Sequence, residues 1–270
     1  MTPHPILVLG GTGKTGRKVA RRLAARGLAV RIGSRAATPA FDWQSPAGWP
    51  AALDGVRAVY VAYQPDLGFP GARETIAAFA EAAVASGARR LVLLSGRGEE
   101  GAQAAERALQ ASGADWTVLR ASWFNQNFSE GFFLDAIRAG ELALSTGDAV
   151  EPFVDTDDIA DVAVAALTDD RHTGEIYELS GPRLLSFHEV TAELSKATDR
   201  DIRYLPIPDD AFRAFLAENQ LPLEFADLLT LITDGRNAQL VDGVSRALGR
   251  PPRDFADFAK EAAAAGVWSS

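Results

Sequence analysis

Gly10, Gly13 and Gly16 recur at a spacing of three in ILVLGGTGKTGRK (residues 6–18), directly after an apolar run and directly before a segment of helical character. Glycines so placed do three separate jobs. The first lets the chain leave a strand through a tight turn, the second lets backbone approach a bound group, and the third lets the helix pack closely on the strand. The helix N-terminus beyond them offers unpaired N–H groups and the positive end of its dipole, which together hold a phosphate. The chemistry implied is binding of a nucleotide pyrophosphate, with Gly10, Thr12, Gly13, Lys14, Thr15 and Gly16 as the cradle and Lys14 adding charge. GGTGKT also invites comparison with the phosphate loop of nucleotide hydrolases. That pattern, G-x-x-x-x-G-K-[ST], needs glycine at position 8, where Val8 stands.

A second apolar run ends in VRIGSRAAT (residues 30–38). In a dinucleotide-binding sheet an acidic residue here holds the 2′-hydroxyl of NAD, whereas arginine accepts the 2′-phosphate of NADP through two parallel hydrogen bonds. The segment has no Asp or Glu, and Ser34 and Arg35 occupy the position, so NADP(H) is the expected cofactor. A solvated surface arginine is the alternative. Arg31 shares Arg35's face only if the strand stays regular that far.

These residues need elements to hold them. Apolar runs at Ile6 to Leu9, Leu28 to Gly33, Ala58 to Tyr63, Arg90 to Leu94 and Trp116 to Leu119 alternate with amphipathic segments at Lys14 to Ala25, Ala72 to Ser86 and about 101 to 111. The pattern predicts a doubly wound α/β fold of the Rossmann type, its parallel sheet covered on both faces. A short strand is expected at Phe41 to Trp43, helix at Phe128 to Gly140 and Asp157 to Leu167, and short strands at Phe153 to Val154 and Ile176 to Leu179. Helices dominate after Ser186. The expected organisation is a nucleotide-binding domain over 1–180, with 131–150 contributing to a smaller, mostly helical substrate lobe at 181–270.

Composition narrows the function classes. A chain of 270 residues with 47% hydrophobic content can bury a sizeable core. A formal charge of −9 argues against a nucleic-acid surface, which needs clustered Lys and Arg. With no cysteine, thiolate nucleophiles and thiolate metal sites are excluded. No run approaches membrane-spanning length, and the opening apolar stretch is too short for a signal core, so a cytoplasmic monomer or homodimer is expected. Asp155, Asp157 and Asp158 suggest a metal site, but DTDDIADVA reads more simply as acids in the first turn of a helix. His4, His172 and His188 lack ligand spacing. Arg17, Lys18, Arg21 and Arg22 read as a solvated helix face, and Phe128, Phe132 and Phe133 as core.

The combination of GGTGKTG, the strand-end SR, LRASWFNQNF (119–128), PFVDTDDIADVAVAAL (152–167) and GEIYELSGPRLLSFHEV (174–190) resembles the NmrA-like group of atypical short-chain dehydrogenases over nearly the whole chain. Together with the late RPPRDFADFA, it is most similar to the subgroup of ergot-alkaloid iminium reductases. The resemblance implies an NADPH-dependent reductase, in a group that also holds quinone reductases and catalytically silent NADPH sensors. It places Ala62, Tyr63 and Gln64 beside the cofactor's ribose and nicotinamide, and Ser95 at the superfamily's catalytic serine. Trp123, Phe124 and Asn125 fall where the family packs an aromatic and an amide against the nicotinamide, in a loop continued by Asn127 and Phe128. A strand-end turn residue is the alternative for Ser95.

One departure bears on the chemistry. Classical members carry Y-x-x-x-K with a Glu four residues after the Lys. Taking Glu106 as that Glu puts Ala102 and Gly98 at the Lys and Tyr positions, and no tyrosine in the chain has Lys four residues later. Reducing a ketone leaves a strongly basic alkoxide that needs a positioned proton donor. Reducing an iminium leaves a neutral amine, and a quinone leaves only a weakly basic phenolate. A cyclic imine or iminium is therefore the expected acceptor, then a quinone, in surroundings that suit an aromatic or cationic small molecule.

Overall fold

The computed structural model describes residues 4–131 and 133–269. The chain runs β1 (Ile6–Leu9), α1 (Gly16–Ala25), β2 (Val30–Gly33), α2 (Trp49–Leu53), β3 (Ala58–Val61), α3 (Ala72–Ala85), β4 (Arg90–Gly96), α4 (Glu100–Gln110) and β5 (Asp115–Ala121). It continues with α5 (Leu134–Ala139), β6 (Glu141–Leu144), β7 (Val150–Glu151), α6 (Thr156–Thr168), β8 (Glu175–Leu179), β9 (Leu185–Ser186), α7 (Phe187–Thr198) and β10 (Arg203–Pro206). Four helices close it: α8 (Asp209–Glu218), α9 (Glu224–Thr233), α10 (Gly243–Leu248) and α11 (Phe255–Ala264).

Among the described residues the main sheet is six-stranded and wholly parallel, in the order β2-β1-β3-β4-β5-β8. Every residue of β1 and β3 is buried, which is why both read as unbroken apolar runs rather than alternating ones. Helix α3 buries Ala72, Ile76, Phe79, Ala80 and Ala83, one stripe at helical spacing. The strand order reverses between β1 and β3, and in open sheets of this kind ligands bind beyond the carboxyl ends of the strands at that reversal.

The chain divides into two compact units, each discontinuous. The first comprises 1–121, 156–179 and 242–250, and the second 122–155, 180–241 and 251–270. The expected boundary at 180 thus lies near only one of several crossings. Residues 122–130 join the second unit because Phe128 packs in its aromatic core with Phe153, Phe187 and Phe255, and α10 belongs to the first because it packs on α6 and β8.

Other expectations change locally. Phe41 to Trp43 is irregular: the Phe41 amide bonds to the Ser34 carbonyl, and its ring packs with Trp43, Trp49 and Phe79. The aromatic content that suggested a strand serves a side-chain cluster. The helix expected over 128–140 is broken by Gly131, with φ +83°, into a 3-10 turn at Asn125–Phe128 and the short α5. Phe153 and Val154 form no strand beyond a single bridge from Val154 to Phe124. The second unit holds an unexpected parallel pair, β6 with β10. Phe128 and Phe133 are core as expected, and Phe132 lies outside the described residues.

Candidate functional site

The three glycines differ in what forbids a side chain. Gly10 has φ +62°, a left-handed conformation that costs any other residue strain, and a Cβ there would lie 3.3 Å from the Cβ of Ala62. At Gly16 a Cβ would overlap the Gly10 carbonyl oxygen, so helix and turn close up only without one. At Gly13 a Cβ would meet only that same oxygen, at 3.3 Å. The space over Gly13 is therefore open, a cradle that a side chain would fill and a pyrophosphate fits. The Gly13 amide closes the turn onto Gly10 at 2.8 Å, and Arg17 and Val19 bond back to Gly13 and Thr15. Among the described residues the amides of Thr15 and Gly16, at the mouth of α1, have no backbone acceptor. These are the donors a phosphate needs. Thr12 is exposed and Lys14 half-buried on the same turn.

At the end of β2 the Ser34 carbonyl accepts the amides of Ala37, at 3.1 Å, and Phe41, at 2.9 Å, fixing a tight turn that carries Arg35. Arg35 is exposed, and among the described residues its guanidinium has no ion-pair partner. Arg31 does not join it. That guanidinium donates to the Ala52 and Asp54 carbonyls, both at 2.7 Å, where α2 ends. At the end of β3, Ala62 underlies Gly10, Tyr63 packs on Trp43 with ring centroids 5.1 Å apart, and Gln64 is exposed. The structure thus gathers Gly10 to Gly16, Ser34, Arg35 and Ala62 to Gln64 at the carboxyl ends of three adjacent strands.

Ser95, at the end of β4, has a partner within the first unit. Its hydroxyl is buried and donates to Glu106 at 2.6 Å, and Glu106 also takes a fork of bonds from Arg120 at 2.7 to 3.1 Å. Arg120 and Arg97 both reach Glu178. A carboxylate as buried as Glu106 needs such donors, and the Ser95 hydroxyl is one of them. Glu106 in turn holds the Arg120 guanidinium firmly protonated.

Trp123, Phe124 and Asn125 follow β5 in sequence but fold with the second unit. Trp123 is half-buried against Phe133, Phe153 and Phe187, so it builds that unit's core as well as its loop. Asn125 is fully buried; its backbone amide bonds to the Val154 carbonyl at 2.9 Å, while neither atom of its side-chain amide has a partner among the described residues. A buried amide left unsatisfied costs stability, which marks it as a group that a ligand would complete.

The three aspartates are held apart by basic partners. Asp155 pairs with Arg253, Asp157 with Lys18 and Arg22, and Asp158 with Arg250. Among the described residues no group of three potential ligands converges on one point. Lys18 and Arg22 are thus ion-pair partners of α6 rather than a solvated face. His4 bonds to the Gly55 carbonyl, His172 to the Tyr177 hydroxyl, and His188 packs edge-on to Tyr204.

Two functional candidates escaped the sequence. Asp66 follows β3, Glu99 precedes α4, and the two carboxyls are hydrogen-bonded to each other in surroundings that leave Glu99 9% exposed. QPDLG and GRGEE are turn sequences without periodicity, so nothing in either signals the other.

With this geometry in place, likeness to known proteins becomes informative. Residues 10–170 match a family model described as NAD(P)H-binding. The chain is 34% identical to an NAD(P)H azoreductase of Xenophilus azovorans, covering 96% of this chain and 98% of the relative. It is 31% identical to agroclavine dehydrogenase of Claviceps fusiformis, covering 95% and 96%. The triphenylmethane reductase of Citrobacter sp., solved in complex with NADP(H), superposes with a TM-score of 0.75 at 20% identity, over 96% of this chain and 99% of that one. No helix among the described residues is long and apolar enough to cross a membrane. Glycine cradle, strand order and relatives agree: the chain belongs to the NAD(P)H-binding family whose model it matches and is an NAD(P)H-dependent oxidoreductase.

Proposed function

We propose that this oxidoreductase uses NADPH to reduce a small, planar, electron-poor acceptor, a cyclic imine or iminium ahead of a quinone. The observation that carries the cofactor choice is Arg35, exposed without an ion-pair partner on the turn beyond β2, with no acidic residue from Val30 to Thr38 to bind a free ribose hydroxyl. With the pyrophosphate held at the Gly10 to Gly16 turn, the bound cofactor would supply hydride from its reduced nicotinamide. The chain's own residues then bind and orient. Amides of the α1 mouth hold the pyrophosphate, Ser34 and Arg35 the 2′-phosphate, and Tyr63 and Gln64 border the ribose. Within the second unit, Phe124 and the unsatisfied amide of Asn125 are proposed as ligand-contacting groups, supported by Trp123 from the aromatic cluster.

The acceptor choice rests on Gly98 and Ala102, which stand where a tyrosine and lysine acid would be, and on the likeness to agroclavine dehydrogenase. Without that tyrosine and lysine an alkoxide product is disfavoured, whereas reduction of an iminium leaves a neutral amine that needs no proton. The rival reading, a silent NADPH sensor, differs in turnover. Steady NADPH consumption with cyclic iminium ions, quinones and simple ketones as a panel tests it. Consumption with the first two and not the third supports the proposal; tight NADPH binding with no consumption across the panel supports the sensor.

A further inference from the structure

The first unit carries an acid pair, Glu99 buried and Asp66 half-buried, that the cradle does not use. Asp66 lies in the loop after β3 and Glu99 caps α4 just past β4, so neighbouring strands deliver both to the carboxyl edge of the sheet, the edge that carries the glycine turn. Three glycines make the fit. A Cβ at Gly96 would overlap the Glu99 carboxyl, one at Gly68 would sit 3.0 Å from Glu99 Oε2 and 3.2 Å from Asp66 Oδ1, and one at Gly101 would press on the Gly68 carbonyl. The loop and the first turn of α4 thus close around the two carboxyls.

Two hydrogen-bonded carboxyls in such a place cannot both be ionised, so they share one proton. Which one keeps it follows from their other partners. Asp66 accepts the Gly68 amide at 2.8 Å, which favours its charged form. Among the described residues no backbone amide or basic side chain reaches Glu99, and the charged groups facing it are Asp66 from the β3 loop and Glu106 from α4, both acidic. We propose that Glu99 holds the shared proton at neutral pH and delivers it to the acceptor atom that reduction leaves basic. This inference rests on the reductase reading above. Burial first, then the Asp66 charge and hydrogen bond, then Glu106, push the Glu99 carboxyl up to about 8.

The step balances for a neutral C=N acceptor. Its carbon gains the cofactor's hydride and its nitrogen the Glu99 proton, so C=N becomes HC–NH. The O–H bond of Glu99 breaks, and the carboxylate left behind recovers its proton from water. An N-alkylated iminium needs no proton at all.

That difference supplies the test. Full-length protein with NADPH is given a weakly basic N-aryl imine and, separately, its N-methylated iminium, and kcat/KM is measured for each. Glu99→Gln is expected to lower the imine-to-iminium ratio at least about thirtyfold, from loss of a positioned acid. An unchanged ratio in a wild type that turns over both overturns the proposal and leaves the reductase intact. A wild type that consumes no NADPH with either acceptor overturns both. Asp66→Asn removes the neighbouring charge, so the fall in imine rate that the wild type shows above about pH 8 is expected to move at least one unit lower. A limb that stays in place overturns the shared proton. Infrared spectra of the cofactor-free protein give a readout apart from activity: a protonated-carboxyl band lost as pH rises through about 8 and missing from Glu99→Gln supports the proposal, and no such band overturns it.

Discussion

At the scale of single residues, Arg35 and Asn125 carry the sharpest consequences. If Arg35 holds the 2′-phosphate, Arg35→Ala weakens NADPH binding by about 1.5–3 kcal/mol, the worth of hydrogen bonds to a charged group, and leaves NADH almost unchanged. Calorimetric titration with both dinucleotides checks it; equal losses would remove the basis for the cofactor choice. Asn125→Leu separates stability from function. Replacing an unsatisfied buried amide by an apolar group of the same branched shape is expected to leave the melting temperature level or raise it, while kcat/KM falls at least about tenfold. Thermal melts beside steady-state rates decide it, and a large drop in melting temperature would mean the amide has protein partners. The glycine cradle was legible in the sequence because turn geometry, φ and close approach are local demands that a run of seven residues records in full. Side-chain partnerships were not. Arg31 reaches carbonyls at Ala52 and Asp54, and Ser95 finds Glu106 a full element later, distances over which spacing along the chain says nothing about direction.

At the scale of elements, the buried strands were legible because burial on both faces leaves an apolar run that nothing polar interrupts, as in β1 and β3. Short strands on the second unit were not. β6, ELAL, alternates buried and exposed over only four residues, too short a pattern to separate from a loop, and its partner β10 lies about sixty residues on. The charged face of α1 shows the same limit from the other side: Lys18 and Arg22 read as solvated until α6 brings Asp157 and Asp161 against them at 2.5 to 2.7 Å. Burial alone would raise the Asp157 carboxyl, but hydrogen bonds and charge from Lys18 and Arg22 outweigh it and hold it down at about 2. A carboxyl whose folded pKa is depressed contributes stability that is complete above its unfolded value, near 4, and is lost as pH falls through the folded one. Asp157→Asn is therefore expected to cost about 1–2 kcal/mol at neutral pH, reduced for solvent screening, with the difference from wild type closing as pH falls from about 4 toward 2. Urea unfolding across that range measures it, and a gap that does not depend on pH would assign the effect to packing.

At the scale of the whole molecule, the discontinuity of the two units makes the nucleotide-binding body depend on residues near the other end of the chain. Helix α10 packs on α6 and β8, and a Cβ at Gly243 would overlap the Glu178 carbonyl, so the helix seats directly on the β8 backbone. Just beyond it, Arg250 pairs at 2.7 Å with Asp158, which is fully buried, and at 2.7 Å with Asp161. Removing one partner of a buried pair leaves a charge that water cannot reach, and because Arg250 is itself partly exposed the cost falls below that of a fully buried pair. Arg250→Ala is thus expected to cost about 2–3 kcal/mol, although it lies some 240 residues from the glycine turn. If the first unit owes its stability to this segment, the same variant loosens the cradle as well, and hydrogen exchange localises the effect. Faster exchange in β1, α1 and α6 supports a single cooperative body, whereas faster exchange confined to α10 would mean that 1–121 and 156–179 hold together without it.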